Sequence, residues 1–303
     1  MNPYADAADA ARPRARLAIL CALAIAGTYW PVRQALVARM PTSETRRLTP
    51  AELAALPRGT PGEPIGPDRE GWSIVYTPRD VKAGTQVLTI WTDPHGFRPR
   101  MDWWVKRDLC WAVLRVAGLL ACLLAAWAAG GARLWGWKLS WSWKGAALMA
   151  AVAVAFLLRV AGGEGPLTFN GIPAWTIAGL NLPVGFFEEA CFRGLLFLGL
   201  ARIVSPRAAA IISSVIFALW HWGVQPAGLF GQIFFFGLCA CAALYAGLGL
   251  AFLALAHAAL DTAMMSFQRA MPSWYEPAGS LTACLVCGAI AMAMLRARDR
   301  SAS

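Results

Sequence analysis

Gly185-Phe186-Phe187-Glu188-Glu189-Ala190-Cys191-Phe192-Arg193-Gly194 places two carboxylates and a guanidinium inside an apolar run that extends from 174 to 202. Two later stretches do the same. Phe217-Ala218-Leu219-Trp220-His221 closes one apolar run, and His257-Ala258-Ala259-Leu260-Asp261 sits inside another. An acid or base at the centre of a bilayer costs about 2.5–3.5 kcal/mol on translocon scales, so such groups are functional candidates by default.

The rest of the chain fits that setting. Hydrophobic residues make up 58% of the 303 and charged residues 15%, with a mean hydropathy of +0.51. A soluble domain carries closer to a quarter charged residues. Stretches such as Leu109–Ala129 and Leu148–Val160 have little polarity to turn toward water. Lipid offers no partners to backbone groups, so only helices or closed barrels can cross it. These runs are too long and too evenly apolar for barrel strands. They predict an all-α, polytopic membrane helical bundle of eight spans, at 15–37, 108–129, 144–162, 174–202, 207–223, 228–247, 249–268 and 278–296. The split between the sixth and seventh rests on Gly247-Leu248-Gly249.

A net charge of +10 raises nucleic acid as a partner. The basic residues instead gather beside the apolar runs, where the positive-inside rule puts them. With the N-terminus inside, Arg12, Arg14, Arg16, Arg133, Lys138, Lys144, Arg202, Arg207, Arg296, Arg298 and Arg300 all fall inside. The short outer loops keep Arg269, Glu276 and Glu164. The expected place is the plasma (inner) membrane, multi-pass, with both termini cytoplasmic and the lipid bilayer as partner. No nucleic acid is expected.

Three units follow: 1–38, an N-terminal tail and first span; 39–107, an insert; and 108–303, the membrane core. The run Leu17–Trp30 behind Arg12, Arg14 and Arg16 resembles a signal-peptide core, with a poor cleavage site at Ala35-Leu36-Val37-Ala38. Tyr29, Trp30 and Pro31 are bulky there and favour an uncleaved span. The insert is Pro-rich and of mixed charge. It carries strand-like Trp72–Thr77 and Gln86–Trp91, with Gly84 in the turn between, and by the charge rule it faces outside. His95 lies on the turn signal Asp93-Pro94-His95-Gly96 and reads as a surface residue. Trp135, Trp137, Trp141 and Trp143 suit an interfacial belt. Seven of the eight cysteines lie in apolar runs and Cys110 at the edge of one, so no disulfide framework is implied and Cys284-x-x-Cys287 reads as packing.

Helical spacing sorts the ionisable residues. Glu189 and Arg193 are four apart, share a face and can pair. Glu188 points about 100° away and has no partner on its own helix, which leaves it free to act as general base or acid. His257 and Asp261 are also four apart, so Asp261 can orient the imidazole. Phe217 shares a face with His221 and can wall the site there. Either pair alone would serve as glue between helices. Glu188 and His221 have no such use. Two His and a Glu could also hold zinc, but the helical His-Glu-x-x-His motif is absent from the sequence. The expectation is chemistry without metal or other cofactor.

Glu-Glu-x-x-x-Arg, Phe-x-x-x-His and His-x-x-x-Asn/Asp, in this order and each on its own apolar segment, resemble the CAAX prenyl endopeptidase and bacteriocin-processing family, also called the abortive-infection family, of intramembrane glutamic proteases. The resemblance covers 174–268 and leaves the insert out. It implies an endopeptidase that cuts a membrane-associated protein or peptide. Glu188 would activate water with His221, Glu189 and Arg193 would brace the site, and His257 with residue 261 would stabilise the oxyanion. The chain has Asp261 there, and an ionised Asp accepts hydrogen bonds but cannot donate one. Asp261 is therefore expected to orient His257, which alone faces the oxyanion. Similar proteins accompany bacterial systems that sort C-terminally anchored exported proteins, which an outward insert would suit. The alternatives are a non-enzymatic scaffold or immunity protein on the same fold and a proton-coupled transporter. The transporter reading lacks the inverted repeat and paired broken helices such proteins often show.

Overall fold

The computed structural model describes residues 3–37, 43–47, 64–65, 72–76, 87–92, 102–131, 135–137, 139–161, 164–169, 174–221, 230–270 and 285–296. Among these residues, every expected span coincides with a helix. In chain order they are α1 (Pro3–Val37), α2 (Asp102–Ala128), α3 (Trp143–Ala161), α4 (Ala174–Glu188), α5 (Pro206–Trp220), α6 (Phe230–Tyr245), α7 (Leu250–Ser266) and α8 (Leu285–Arg296). Helix α4 continues as a π-helical segment, Glu189–Phe197, and a last α turn, Leu198–Leu200. The first helix begins at Pro3, well before the expected start at 15.

The helices enclose one apolar core in which α4 packs on α7 and α2, α5 on α6, α3 on α6, and α1 on α2 and the π segment. Residues 12–33 of α1 and 111–128 of α2 are long and apolar enough to cross a bilayer. The apolar parts of α3, α5, α6, α7 and α8 are shorter, within 10–17 residues. The helical class therefore stands.

Two pieces of β structure interrupt the helices. In the insert, β1 (Ser43–Arg47), β2 (Pro64–Ile65), β3 (Trp72–Tyr76) and β4 (Val87–Thr92) form an antiparallel sheet in the order β1-β4-β3-β2, with Ser73 opposite Trp91. The two expected strands are β3 and β4. Gly84, His95 and Cys284 lie outside the described residues. The second piece was not foreseen: β5 (Glu164–Phe169) pairs antiparallel with β6 (Phe267–Ala270), Phe169 opposite Phe267. Helix α7 therefore stops at Ser266 and passes into a strand, where an unbroken apolar run to 268 was expected. Gly165 and Pro166 in β5 are poor helix formers, which leaves that segment extended.

The Gly247 turn expected between the sixth and seventh spans is present. Gly247 has φ +102, a left-handed conformation that side chains disfavour, and Leu248 N–H bonds back to the Ala243 carbonyl at 3.1 Å. This turn also corrects the tryptophan expectation. Residues 135–137 and 139–142 dock against it: Leu250 N–H donates to the Gly136 carbonyl at 3.0 Å, and Ser140 and Ser142 hydroxyls donate to the Gly247 and Ala246 carbonyls, each at 2.9 Å. Trp135 is consequently buried, beneath the Arg202 guanidinium at 4.4 Å, and Trp137 is half-buried and stacks on Phe186. Trp141 and Trp143 remain exposed, as a belt requires.

Candidate active site

Pro183 lies within α4 and lacks the N–H that an α-helix uses there. From Glu189 onward the helix widens: Leu198 N–H reaches back five residues to the Arg193 carbonyl. Such π turns are rare and concentrate at functional sites. All nine residues of this one are buried, including Glu189 and Arg193. Ser213 on α5 donates its hydroxyl to the Phe192 carbonyl at 2.8 Å, which anchors the widened turn to its neighbour.

The pairing of Glu189 with Arg193 is present, with Oε2 3.3 Å from Nε. Its alignment is too poor for a hydrogen bond, so the contact is electrostatic. The guanidinium is held as much by rings: it lies 4.0 Å from the centre of Phe217 and 5.5 Å from Phe236, within cation–π range. Phe217 also meets His221 edge-on at 4.6 Å and so forms the expected wall.

Glu189 has a second partner that spacing could not reveal. Its Oε1 lies 2.7 Å from His257 Nδ1. Asp261 was expected to orient this ring, and that expectation is corrected. Asp261 Oδ2 is 3.5 Å away, on the other nitrogen, Nε2. A carboxylate beside Arg193 is an acceptor, so His257 Nδ1 carries the hydrogen and donates it to Glu189. The ring is thereby turned with Nε2 toward Glu188 and Asp261.

Glu188 occupies the centre. Its Oε2 is 3.7 Å from His221 Nε2 and 3.9 Å from His257 Nε2. His221 caps the C-terminal end of α5 and its Nδ1 lies 2.8 Å from the Phe217 carbonyl. A carbonyl only accepts, so Nδ1 donates, and the Nε2 lone pair of the neutral ring faces Glu188. All six residues singled out in the sequence thus come together from α4, its π segment, α5 and α7. Exposure is graded across them: Glu189 and Arg193 are at 0%, Glu188 at 2% and His257 at 5%. The side chains of His221 and Asp261 are open to 15% and 27%, which marks the side from which water or a substrate can enter.

Sequence reasoning missed the contribution of α1 and α2. Tyr29 of α1 stacks on Phe187 at 5.3 Å and packs against Trp220 at 5.1 Å, the neighbours of Glu188 and His221. Two indole hydrogen bonds clamp α1 to α5: Trp30 Nε1–H to the Trp220 carbonyl at 2.9 Å, and Trp220 Nε1–H to the Ala26 carbonyl at 3.1 Å. Helix α2, which packs against α1 and α4, carries Arg115. An arginine inside the run Leu109–Ala129 was itself a signal of function. Among the described residues, no group of three or more His, Cys, Asp or Glu side chains is arranged to hold a metal ion.

Residues 170–263 match the model of the family described as Type II CAAX prenyl endopeptidase Rce1-like. The match supports the CAAX protease family, the one the three motifs resemble, and with it a protease and a membrane-embedded setting. It spans α4, α5, α6 and most of α7 and leaves α1, α2 and the insert outside. No curated protein matches the chain.

Proposed function

We propose that this chain is an intramembrane glutamic endopeptidase that hydrolyses a peptide bond in a membrane-associated protein or peptide. The observation that carries this is Glu188 Oε2, set between His221 Nε2 at 3.7 Å and His257 Nε2 at 3.9 Å. Both separations are longer than a direct hydrogen bond and leave room for reacting groups between them.

In this mechanism a water gives one hydrogen bond to Glu188 and the other to the His221 Nε2 lone pair. Glu188 takes the proton as the water oxygen attacks the scissile carbonyl. The ring of His257 has acceptors on both nitrogens and, as imidazolium, donates from both: Nδ1–H to Glu189 and Nε2–H to the tetrahedral oxyanion. Glu188 then passes its proton to the leaving amine. The C–N bond breaks, and a new carboxyl terminus and a free amine leave. Glu189 and Arg193 hold His257 in place and do not touch the substrate.

The membrane setting is supported from outside the site as well. Leu20, Leu120, Leu124, Trp127, Trp175, Leu219, Leu285 and Val286 face outward while Glu188, Glu189 and Arg193 are buried, the reverse of a soluble protein. Eight crossings with both termini cytoplasmic place the insert outside, and processing of C-terminally anchored exported proteins suits that arrangement.

The test compares wild type with Glu188→Gln in the native host, by mass spectrometry of membrane and exported proteins. Gln keeps the size and removes the base, so a defined set of proteins is expected to lose a new terminus, cleavage falling by about 10²–10⁴-fold. If the variant behaves as wild type while deletion of the gene has an effect, the protein acts as a scaffold.

A further inference from the structure

Helix α5 ends at Trp220, and His221 is its cap. The carbonyls of a helix's last turn have no N–H ahead of them and need donors from elsewhere, all the more where water is scarce. Each carbonyl of this turn is met. His221 N–H is shared between the Ala218 and Leu219 carbonyls, the first at 3.1 Å. The Phe217 carbonyl is left for the His221 ring and receives Nδ1–H at 2.8 Å. The Trp220 carbonyl receives the indole N–H of Trp30 at 2.9 Å. His221 itself thus serves three of these carbonyls. The fourth is served by α1, a helix outside the family-matched segment.

A return bond closes the clamp: Trp220 Nε1–H donates to the Ala26 carbonyl at 3.1 Å. Ala26 and Trp30 are four apart and share a face of α1. The Trp220 ring then becomes the hub of the corner. It meets Tyr29 at 5.1 Å, Phe192 of the π turn at 5.4 Å and Phe187 at 6.2 Å. Its fourth neighbour is the His221 ring, edge-on at 5.1 Å. His221 in turn holds Nε2 3.7 Å from Glu188. The Phe217 carbonyl selects the tautomer of this ring, and the last turn of α5 fixes where that carbonyl stands. A turn left open at the Trp220 carbonyl would shift both, and the Nε2 lone pair would leave Glu188.

We propose that Trp30 is a positioning residue for the reaction: its indole N–H caps the end of α5 and so holds His221 with Nδ1–H on the Phe217 carbonyl and Nε2 toward Glu188. This role rests on the protease reading and acts through His221, without contact to the substrate. It makes the first helix part of the working site, although the matched segment begins only at residue 170.

The experiment uses the purified full chain in lipid nanodiscs, with a substrate drawn from the termini that depend on Glu188. Trp30→Phe keeps an aromatic ring and removes the N–H. It is expected to lower kcat by about 10- to 100-fold, with KM changed by less than about threefold. Ile19→Ala loosens α1 elsewhere, where Ile19 packs against Gly199. It should lower the melting midpoint and leave kcat within about threefold. An equal kcat loss in the two variants overturns the proposal, as does an unchanged kcat in Trp30→Phe. A rise in KM at constant kcat also overturns it, by making Trp30 a substrate contact. A second readout needs no cleavage. The NMR signals of the His221 ring nitrogens, assigned by their loss in His221→Ala, report which nitrogen carries the hydrogen in the neutral ring. The wild type should carry it on Nδ1 and Trp30→Phe should show both tautomers. Both tautomers in the wild type, or a Trp30→Phe spectrum like that of the wild type, overturns the proposal. If Glu188-dependent cleavage fails to appear, the protease reading falls and the ring signals still decide the cap. If Trp30→Phe does not fold, Trp220→Phe opens the other bond of the clamp and should give the same mixture; an unchanged spectrum there sinks the idea.

Discussion

His257 carries the tightest demand of any single residue. It receives Glu189 on one nitrogen at 2.7 Å and presents the other to Glu188 and Asp261. In the proposed mechanism His257→Ala removes the oxyanion donor and leaves Glu189 with Arg193 alone, so cleavage is expected to be abolished, by about 10³-fold. Asp261→Asn should keep part of the activity, because Glu189 and not Asp261 holds the ring. Both are read from the rate at which the Glu188-dependent terminus appears, with melting curves to show that each variant folds. An inactive but folded Asp261→Asn protein would falsify this division of labour. The Glu189–Arg193 contact was legible in the sequence because four residues on one helix fix their own neighbours. The Glu189–His257 contact spans 68 residues and depends on how two helices meet.

Two close approaches decide how the elements meet. At the α4–α7 crossing, Gly185 brings the backbones together so tightly that a Cβ would strike the Ala254 carbonyl and stand 3.0 Å from Ala258 N. Those atoms are backbone and cannot turn aside. Gly185→Ala should therefore push α7 and its His257 away from Glu188. The expected result is a loss of about 1–3 kcal/mol in stability, read by thermal unfolding, and a fall in cleavage larger than that loss explains. At the α1–α5 contact, two indole hydrogen bonds to carbonyls do the same work laterally. The existence of each helix was readable from apolar runs and from stop signals such as Gly247. Its packing partner was not, because apolar periodicity states that a face is buried without stating against what.

At the scale of the molecule, among the described residues, Glu188 and Glu189 are buried within the apolar core while large apolar side chains such as Leu124, Trp127 and Trp175 face outward. The first helix belongs to this assembly. Ala15 and Ile19 meet Gly199, the Cys191 thiol donates to the Ala22 carbonyl at 3.5 Å, and Tyr29 reaches the site. A helix with these contacts is expected to stay attached. Intact mass and N-terminal sequencing of the membrane-purified protein should find residues 1–37 joined to the rest. A mature chain that starts near residue 39 would instead mean that Tyr29 and the Trp30–Trp220 bonds are dispensable.

The sequence by itself determined the class of the protein. Apolar runs long enough to need helices, and acids and histidines that no lipid-facing helix would keep, follow from composition and spacing alone. It also singled out the six candidate residues that the structure brings together, because the cost of burying charge makes each one conspicuous wherever it ends up. The tertiary structure alone decided their roles toward one another. Glu189 took the orienting contact that Asp261 was expected to make, since the packing of α7 on α4 and its π segment presents Nδ1 to Glu189 and leaves Nε2 to α7's own acid. It alone brought in Tyr29 and the indole clamp between α1 and α5, since contacts between distant helices are set by shape and close approach, which local sequence does not encode.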